Sequence, residues 1–241
     1  MLEACSTSVR MVVVQMRLSR AAGALAAITI AATGCMTTVH GAAVVPPGTD
    51  PTSDVALTED GFGIQLGKSF APTQVTLYTE PQCPHCARLQ EDYGAAMANY
   101  IDDGQLAVTY RFVTFLDESA DGYSAQASNA VFLAANPGAD LPAATIQNFI
   151  WELYLVMDLF GPAAEEIPAI ASNTGIPPKV IDHVEAGDTG VDVEAMDEAN
   201  QASLDEIRPG DAGTPTVFDT TTEEVVDTSD PEWLDQLVES N

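Results

Sequence analysis

Residues 74–86 read Gln74-Val75-Thr76-Leu77-Tyr78-Thr79-Glu80-Pro81-Gln82-Cys83-Pro84-His85-Cys86, and two periodicities meet inside them. Gln74 to Thr79 is rich in β-branched and aromatic residues, the composition of a strand. Glu80-Pro81-Gln82 is a short polar turn. Beyond it, Leu89, Tyr93, Met97 and Tyr100 recur at helical spacing. The two cysteines therefore fall where a strand hands over to the first turn of a helix. Pro84 suits the first helical position, where its missing N–H has no partner to lose. The unpaired N–H groups and positive end of the helix favour an anion at Cys83, and His85 can add a donor or a positive charge. Cys83 is expected to be an exposed thiolate of low pKa, and Cys86, one turn deeper, a buried resolving thiol.

Outward from this segment, composition narrows the classes of function. The 241 residues carry 36 Asp plus Glu against 8 Lys plus Arg, a formal charge of −28. Affinity for phosphate backbones comes from clustered Lys and Arg, so nucleic acid is excluded as a partner. Acidic membrane surfaces are excluded as electrostatic partners by the same argument. With 46% apolar and 18% charged residues the chain can still bury a core, so the acidity describes a solvated surface and not a disordered chain. Such lysine depletion fits a salt-adapted surface or a strongly solubilised secreted one; composition does not separate the two.

The first 34 residues read as a leader. Arg17 and Arg20 precede the apolar run Ala21 to Ala32, and Thr33-Gly34-Cys35 closes it with small residues before a cysteine, the layout of an export signal. The run is shorter than the roughly 18 to 20 residues of a spanning helix. Met16-Arg17-Leu18-Ser19-Arg20 is a better charged leader than Met1-Leu2-Glu3, making Met16 a candidate true start and Cys5 irrelevant. Ala32-Thr33-Gly34-Cys35 resembles a bacterial lipoprotein signal, with Ala32 where Leu is usual; lipidation of Cys35 is the expectation, beside an ordinary signal peptide cut nearby. Arg10, Arg17, Arg20 and Glu3 fall in the leader, so the acidic excess belongs to residues 35–241. Residues 35–53, with Pro46-Pro47-Gly48 and Pro51, read as an extended tether. The folded domain is expected over 54–241, opening with a hairpin between Ala56 and Leu66 around Asp60-Gly61.

With Cys5 and Cys35 assigned to the leader, the domain keeps one pair, Cys83 and Cys86. Three readings compete: redox catalysis, half of a metal site, and a small structural disulfide. A bridge across three residues gains little from loop closure. A structural zinc site needs four ligands, and the remaining candidates are His85 within the pair, Cys35 and His40 in the tether, and His183. No second pair exists, so the count favours redox chemistry. A stable Cys83 thiolate favours the dithiol and makes Cys83 a good leaving group, the profile of a disulfide donor.

Thr79-Glu80-Pro81-Gln82-Cys83-Pro84-His85-Cys86, followed far downstream by Gly213-Thr214-Pro215-Thr216-Val217-Phe218, resembles the DsbA-like thioredoxin-fold family of thiol-disulfide oxidoreductases. The resemblance covers roughly residues 54 to 240. It implies an α/β chain: a thioredoxin fold with a large all-helical insertion, about 118–209, between the second core strand and the strand after a cis-proline. It also implies that Pro215 is cis and that Thr214 and Pro215 lie against the Cys83–Cys86 pair, joining Pro84 and His85 as active-site residues. The implied activity is a disulfide oxidase acting on reduced exported proteins, without cofactor or metal, reoxidised by a quinone-linked membrane oxidase. A monomer bound to the membrane only through a lipid on Cys35 is expected. Two positions depart from the pattern. Leu77 stands where many such enzymes bury an acid, so that role is absent or has moved to Glu80. Thr214 is common among isomerases and related enzymes where the best-known oxidases have Val, which keeps a reductase or isomerase as the alternative. A non-catalytic chaperone is the third class.

The coarse pattern agrees with that architecture. Leu106 to Phe112 reads as a second strand, and Tyr123 to Asn136, Ala143 to Met157, Ala163 to Asn173, Pro178 to Glu185 and Val193 to Ile207 as helices. Thr216 to Phe218 and Glu223 to Val226 read as closing strands and Pro231 to Val238 as a last helix. Phe149, Trp151, Tyr154, Met157 and Phe160 could line a groove for unfolded substrates but fit helix-packing core better. His183 fits a solvated helix surface. Glu80 is either a modulator of Cys83 protonation or a plain turn acid.

Overall fold

The computed structural model describes residues 54–156 and 163–240. The leader, the tether with Cys35 and His40, and Met157 and Phe160 lie outside the described residues. Thirteen elements follow one another among those described: β1 (Val55–Leu57), β2 (Ile64–Leu66), β3 (Thr73–Thr79), α1 (Pro84–Asp102), β4 (Leu106–Phe112), α2 (Tyr123–Ala134), α3 (Ala143–Leu155), α4 (Ile167–Asn173), α5 (Pro178–Glu185), α6 (Val193–Ile207), β5 (Thr216–Asp219), β6 (Glu224–Val225) and α7 (Trp233–Glu239). The strands form one mixed sheet in the order β1-β2-β4-β3-β5-β6. Only β3 and β4 run parallel, Thr73 opposite Leu106 through Thr79 opposite Phe112, because α1 carries the chain back between them. β5 returns antiparallel on the other side of β3, with Leu77 opposite Val217. This is a thioredoxin fold, and everything described between β4 and β5 is helical apart from its turns.

The central strands each bury one face completely and half-bury much of the other. Val75 and Leu77 of β3 and Leu106, Val108, Tyr110 and Phe112 of β4, alternate residues along each strand, are all at most 4% exposed, and Tyr78 is buried on the opposite face of β3. Helix α1 turns Cys86, Leu89, Gln90, Gly94, Met97 and Ile101 inward, the three-and-four spacing of a helix face. Gly94 lets α3 approach: a Cβ there would stand 2.9 Å from Trp151 Cδ1. Tyr93 and Tyr100, at the same helical spacing, are half-buried at the shoulder of this face. Tyr93 meets Trp233 edge-on, ring centroids 5.3 Å apart, and Tyr100 Oη donates to Asp235 at 2.8 Å, so the two seat α7.

Phe149 and Tyr154 of α3 are core, 0% and 2% exposed. The last helix of the insertion is fastened by Asn200, itself fully buried: its amide donates to Phe62 O at 3.0 Å and Phe112 O at 2.8 Å and accepts from Arg111 at 2.8 Å. One side chain thereby ties α6 to β4 and to the loop of the β1–β2 hairpin. Tyr78 Oη and Ser203 Oγ, 2.7 Å apart, add a second tie to β3.

Several expected boundaries shift for local reasons. Helix α2 stops at Ala134 because Asn136 is extended ahead of Pro137 and spends its side chain on Gly138 N, starting a 3-10 turn. Residues 164–166 form another 3-10 turn and α4 begins only at Ile167. The closing helix begins at Trp233 and not Pro231, and ahead of it Asp230 closes a turn, taking Glu232 N on its side chain and Trp233 N on its carbonyl.

Candidate active site

Strand β3 ends at Thr79, and after four intervening residues α1 begins on Pro84. Cys83 is the helix N-cap, with extended backbone (φ −75°, ψ 120°) and no side-chain cap bond of its own. Its carbonyl accepts from Ala87 N at 3.0 Å, the first bond of the helix, and its N–H donates to Glu80 O at 3.0 Å, closing the turn. The Cys83 sulfur is thus left at the helix mouth, where N–H groups have no intrahelical partner. Both cysteines are free thiols.

The Thr214–Pro215 bond is cis, and its loop lies over the pair: Cys83 Sγ donates to Thr214 O at 3.3 Å. This contact corrects the expectation of an exposed Cys83. The residue is only 7% exposed because the Thr214 carbonyl and the helix mouth cover it. Cys86 is fully buried, while Pro84 and His85 stand in solvent.

Electrostatics separate the two thiols. Cys83 is lowered to about 5, first because the Cys86 thiol donates to its sulfur. Burial opposes this, and the Thr214 side chain and the backbone N–H groups of Cys86 and His85 add to it. The Thr214 hydroxyl is otherwise buried without a hydrogen-bond partner, so an anionic sulfur is the acceptor it lacks. Cys86 moves strongly upward, chiefly through burial and then through the neighbouring Cys83. The contribution of His85 is made through its backbone N–H.

Behind the pair lies a polar cluster that the sequence did not reveal. Glu80 is fully buried. Its carboxylate accepts from Gln82 N at 2.6 Å and from Ser124 Oγ on α2. Asp117 completes the cluster, taking Gln82 Nε2 at 2.6 Å and capping α2 through Ser124 N and Ala125 N at 3.0 and 2.8 Å. Burial pushes Glu80 up to about 7, against those two hydrogen bonds and with help from the nearby Asp117 and Cys83 charges. Thr79 and the Glu80 backbone N–H face Cys86, and Thr79 Oγ1 is 2.5 Å from Tyr154 Oη of α3. Ser124, Asp117 and Tyr154 belong to segments far along the chain from the strand turn, beyond the reach of local pattern. Leu77 is buried core, 1% exposed, so the acid beside the cysteines comes from Glu80. His183 is not part of this site: it stands exposed on α5, its Nδ1 2.6 Å from Asp188 Oδ2.

Comparison with known proteins agrees with the architecture. Residues 59–239 match a family model described as thioredoxin. Among curated proteins, the serine/threonine-protein kinase PknE of Mycobacterium tuberculosis is 28% identical over 187 residues, as is its Mycobacterium bovis counterpart. The match covers 73% of this chain and 31% of those kinases, so the chain spans about a third of the length of the curated relatives it matches. Among solved structures, the thiol-disulfide oxidoreductase MdbA of Corynebacterium matruchotii superposes with a TM-score of 0.64 at 22% identity, over 77% of this chain and 92% of that one. Reduced DsbA from Mycobacterium tuberculosis gives 0.56 at 21%, over 75% and 92%. At these identities the likeness is one of fold.

Proposed function

The chain belongs to the thioredoxin family, and from that premise we propose that it is a thiol-disulfide oxidoreductase which donates the Cys83–Cys86 disulfide to exported proteins. The observation that carries the reading is the asymmetry of the pair: a low Cys83 at a helix mouth under the Thr214–Pro215 loop, and a high, buried Cys86. A pair made only for structure has no use for that separation. The name of one superposing structure, the thiol-disulfide oxidoreductase MdbA, points the same way.

The exchange runs in two steps. A substrate thiolate attacks Cys83 Sγ, the Cys83–Cys86 bond breaks, and Cys86 leaves and takes a proton. A second substrate thiolate then attacks the substrate sulfur of the mixed disulfide, and Cys83 leaves as a thiolate stabilised by the helix mouth and Thr214. Two electrons pass from substrate to enzyme. Glu80, buried beside the pair and balanced near neutrality, is suited to hold or give the proton that Cys86 needs. Reoxidation calls for an external oxidant, for which a quinone-linked membrane oxidase is our proposal. Export, cleavage ahead of Cys35, lipidation there and a tether over 35–53 complete the proposal; they rest on the leader sequence.

The test is substrate trapping. Cys86→Ser should accumulate mixed disulfides through Cys83 in cells, and Cys83→Ser should accumulate none and lose exchange. Failure of Cys86→Ser to trap any partner contradicts the mechanism.

A further inference from the structure

Five basic side chains fall within the described residues, and three are taken by acids of the chain: Lys68 by Asp54, Arg111 by Asp60, and Arg208 by Asp211. Arg88 and Lys179 form no ion pair with any described residue. Lys179 belongs to α5, in the insertion. Arg88 lies on α1 two residues after Cys86 and is exposed. It shares one cavity of about 510 Å³ with His85, Asp92, Thr214, Pro215 and Ser229. This open cavity therefore runs from the exposed edge of the cysteine helix to the cis-proline loop that covers Cys83. Asp92, one turn along α1, lies in the same wall yet makes no ion pair with Arg88. In a chain with 36 acids for 8 bases, Arg88 is, among the described residues, the one Lys or Arg lining this cavity, and none of them pairs with it, so its guanidinium can receive an outside carboxylate.

We propose that Arg88 is a specificity-determining residue: it receives an Asp or Glu side chain flanking the substrate cysteine, so that acidic cysteine-bearing segments are the preferred substrates. This rests on the oxidoreductase reading above and adds the substrate class. The guanidinium fork matches a carboxylate with two parallel hydrogen bonds. The net charge of the protein opposes approach of such a segment from afar. That field is screened beyond about 8 Å at physiological salt, so the local contact decides between substrates once they dock.

The experiment uses the full chain with Cys83–Cys86 oxidised, at about 0.15 M salt. Two peptides each carry a single cysteine and differ only in having Asp or Lys two residues to either side of it. The second-order rate of mixed-disulfide formation at Cys83 is read by alkylation and mass analysis of the segment holding Cys83 and Cys86. Each rate is divided by that of the same peptide with a small neutral disulfide, which removes the effect of the flanking charges on the peptide thiol itself. The wild type should prefer the Asp peptide by about three- to fivefold, the scale of a partly exposed charge pair. Arg88→Gln should bring the ratio to about one, and Arg88→Glu should invert it. Exchange with both peptides at a ratio that Arg88→Gln leaves unchanged, or no preference in the wild type, overturns the inference alone. Exchange with neither peptide overturns the oxidoreductase reading and this inference with it.

Discussion

The proposed chemistry rests on three ionisable groups, Cys83, Cys86 and Glu80, whose protons are set by different causes. Cys83 is low because hydrogen bonds converge on its sulfur, and Glu80 is high because burial outweighs the two bonds it accepts. The signs of the resulting pH dependences are opposite. Cys83, depressed from 9.0 to about 5, adds nothing to the stability of the reduced fold below pH 5; its contribution grows above that and is complete above pH 9. Glu80, raised from 4.5 to about 7, favours the fold below its ordinary value, and that advantage is lost as pH rises through about 7. Alkylation of the reduced protein at Cys83 should therefore show its main rise near pH 5 and a second inflection near pH 7. Glu80→Gln should remove the second and keep the first. A single rise near the ordinary thiol value of 9.0 contradicts this account. The cysteines were legible in the sequence because they lie within one turn of each other. Glu80 was legible only as one of two alternatives, a modulator of Cys83 protonation or a plain turn acid, since its burial depends on Ser124, 44 residues away, folding down onto it.

Most elements can be read from periodicity and punctuation. Helices α5 and α6 fall on the residues expected, Pro178–Glu185 and Val193–Ile207. Pro178 opens the first, and Asp192 caps the second by accepting from Ala195 N at 3.2 Å. Strand pairing is different, because register joins segments far apart: Ile64 opposite Tyr110 or Leu77 opposite Val217 leaves no trace in either segment alone. The attachment of the helical insertion is equally non-local and depends heavily on Asn200. Asn200→Ala strands the buried Phe112 carbonyl, the part-buried Phe62 carbonyl and part of Arg111, at a cost of about 2 kcal/mol. The thermal midpoint should fall by about 4 to 8 °C, while exchange with a small disulfide at about 20 °C stays within about twofold of wild type. An unchanged midpoint would show that α6 is held by other contacts.

At the scale of the whole molecule, a thioredoxin sheet places the dithiol at the end of its central parallel strand, and the helical insertion with its approach supplies Ser124, Asp117 and Tyr154 behind it. The family was legible from two short motifs far apart in the chain, Cys83-Pro84-His85-Cys86 and Gly213-Thr214-Pro215, because each keeps its chemistry in adjacent residues. The cover that Thr214 gives Cys83 was not legible, as it depends on how closely the two loops meet. Membrane attachment belongs to this scale too. No helix among the described residues is long and apolar enough to cross a membrane, and our proposal assigns attachment to Cys35. Cys35→Ala should move the protein from the detergent phase to the aqueous phase on detergent partitioning, and retention in the detergent phase contradicts lipidation there. The central claim, that the pair donates disulfides, is tested most directly by its reduction potential. The full chain is equilibrated in glutathione buffers, with oxidation read on the segment holding Cys83 and Cys86. The stabilised Cys83 thiolate predicts a potential above about −180 mV, toward the strongly oxidising end of the range for such pairs. A value near about −270 mV, where dedicated reductants of this fold lie, would contradict the account and make the protein a reductase.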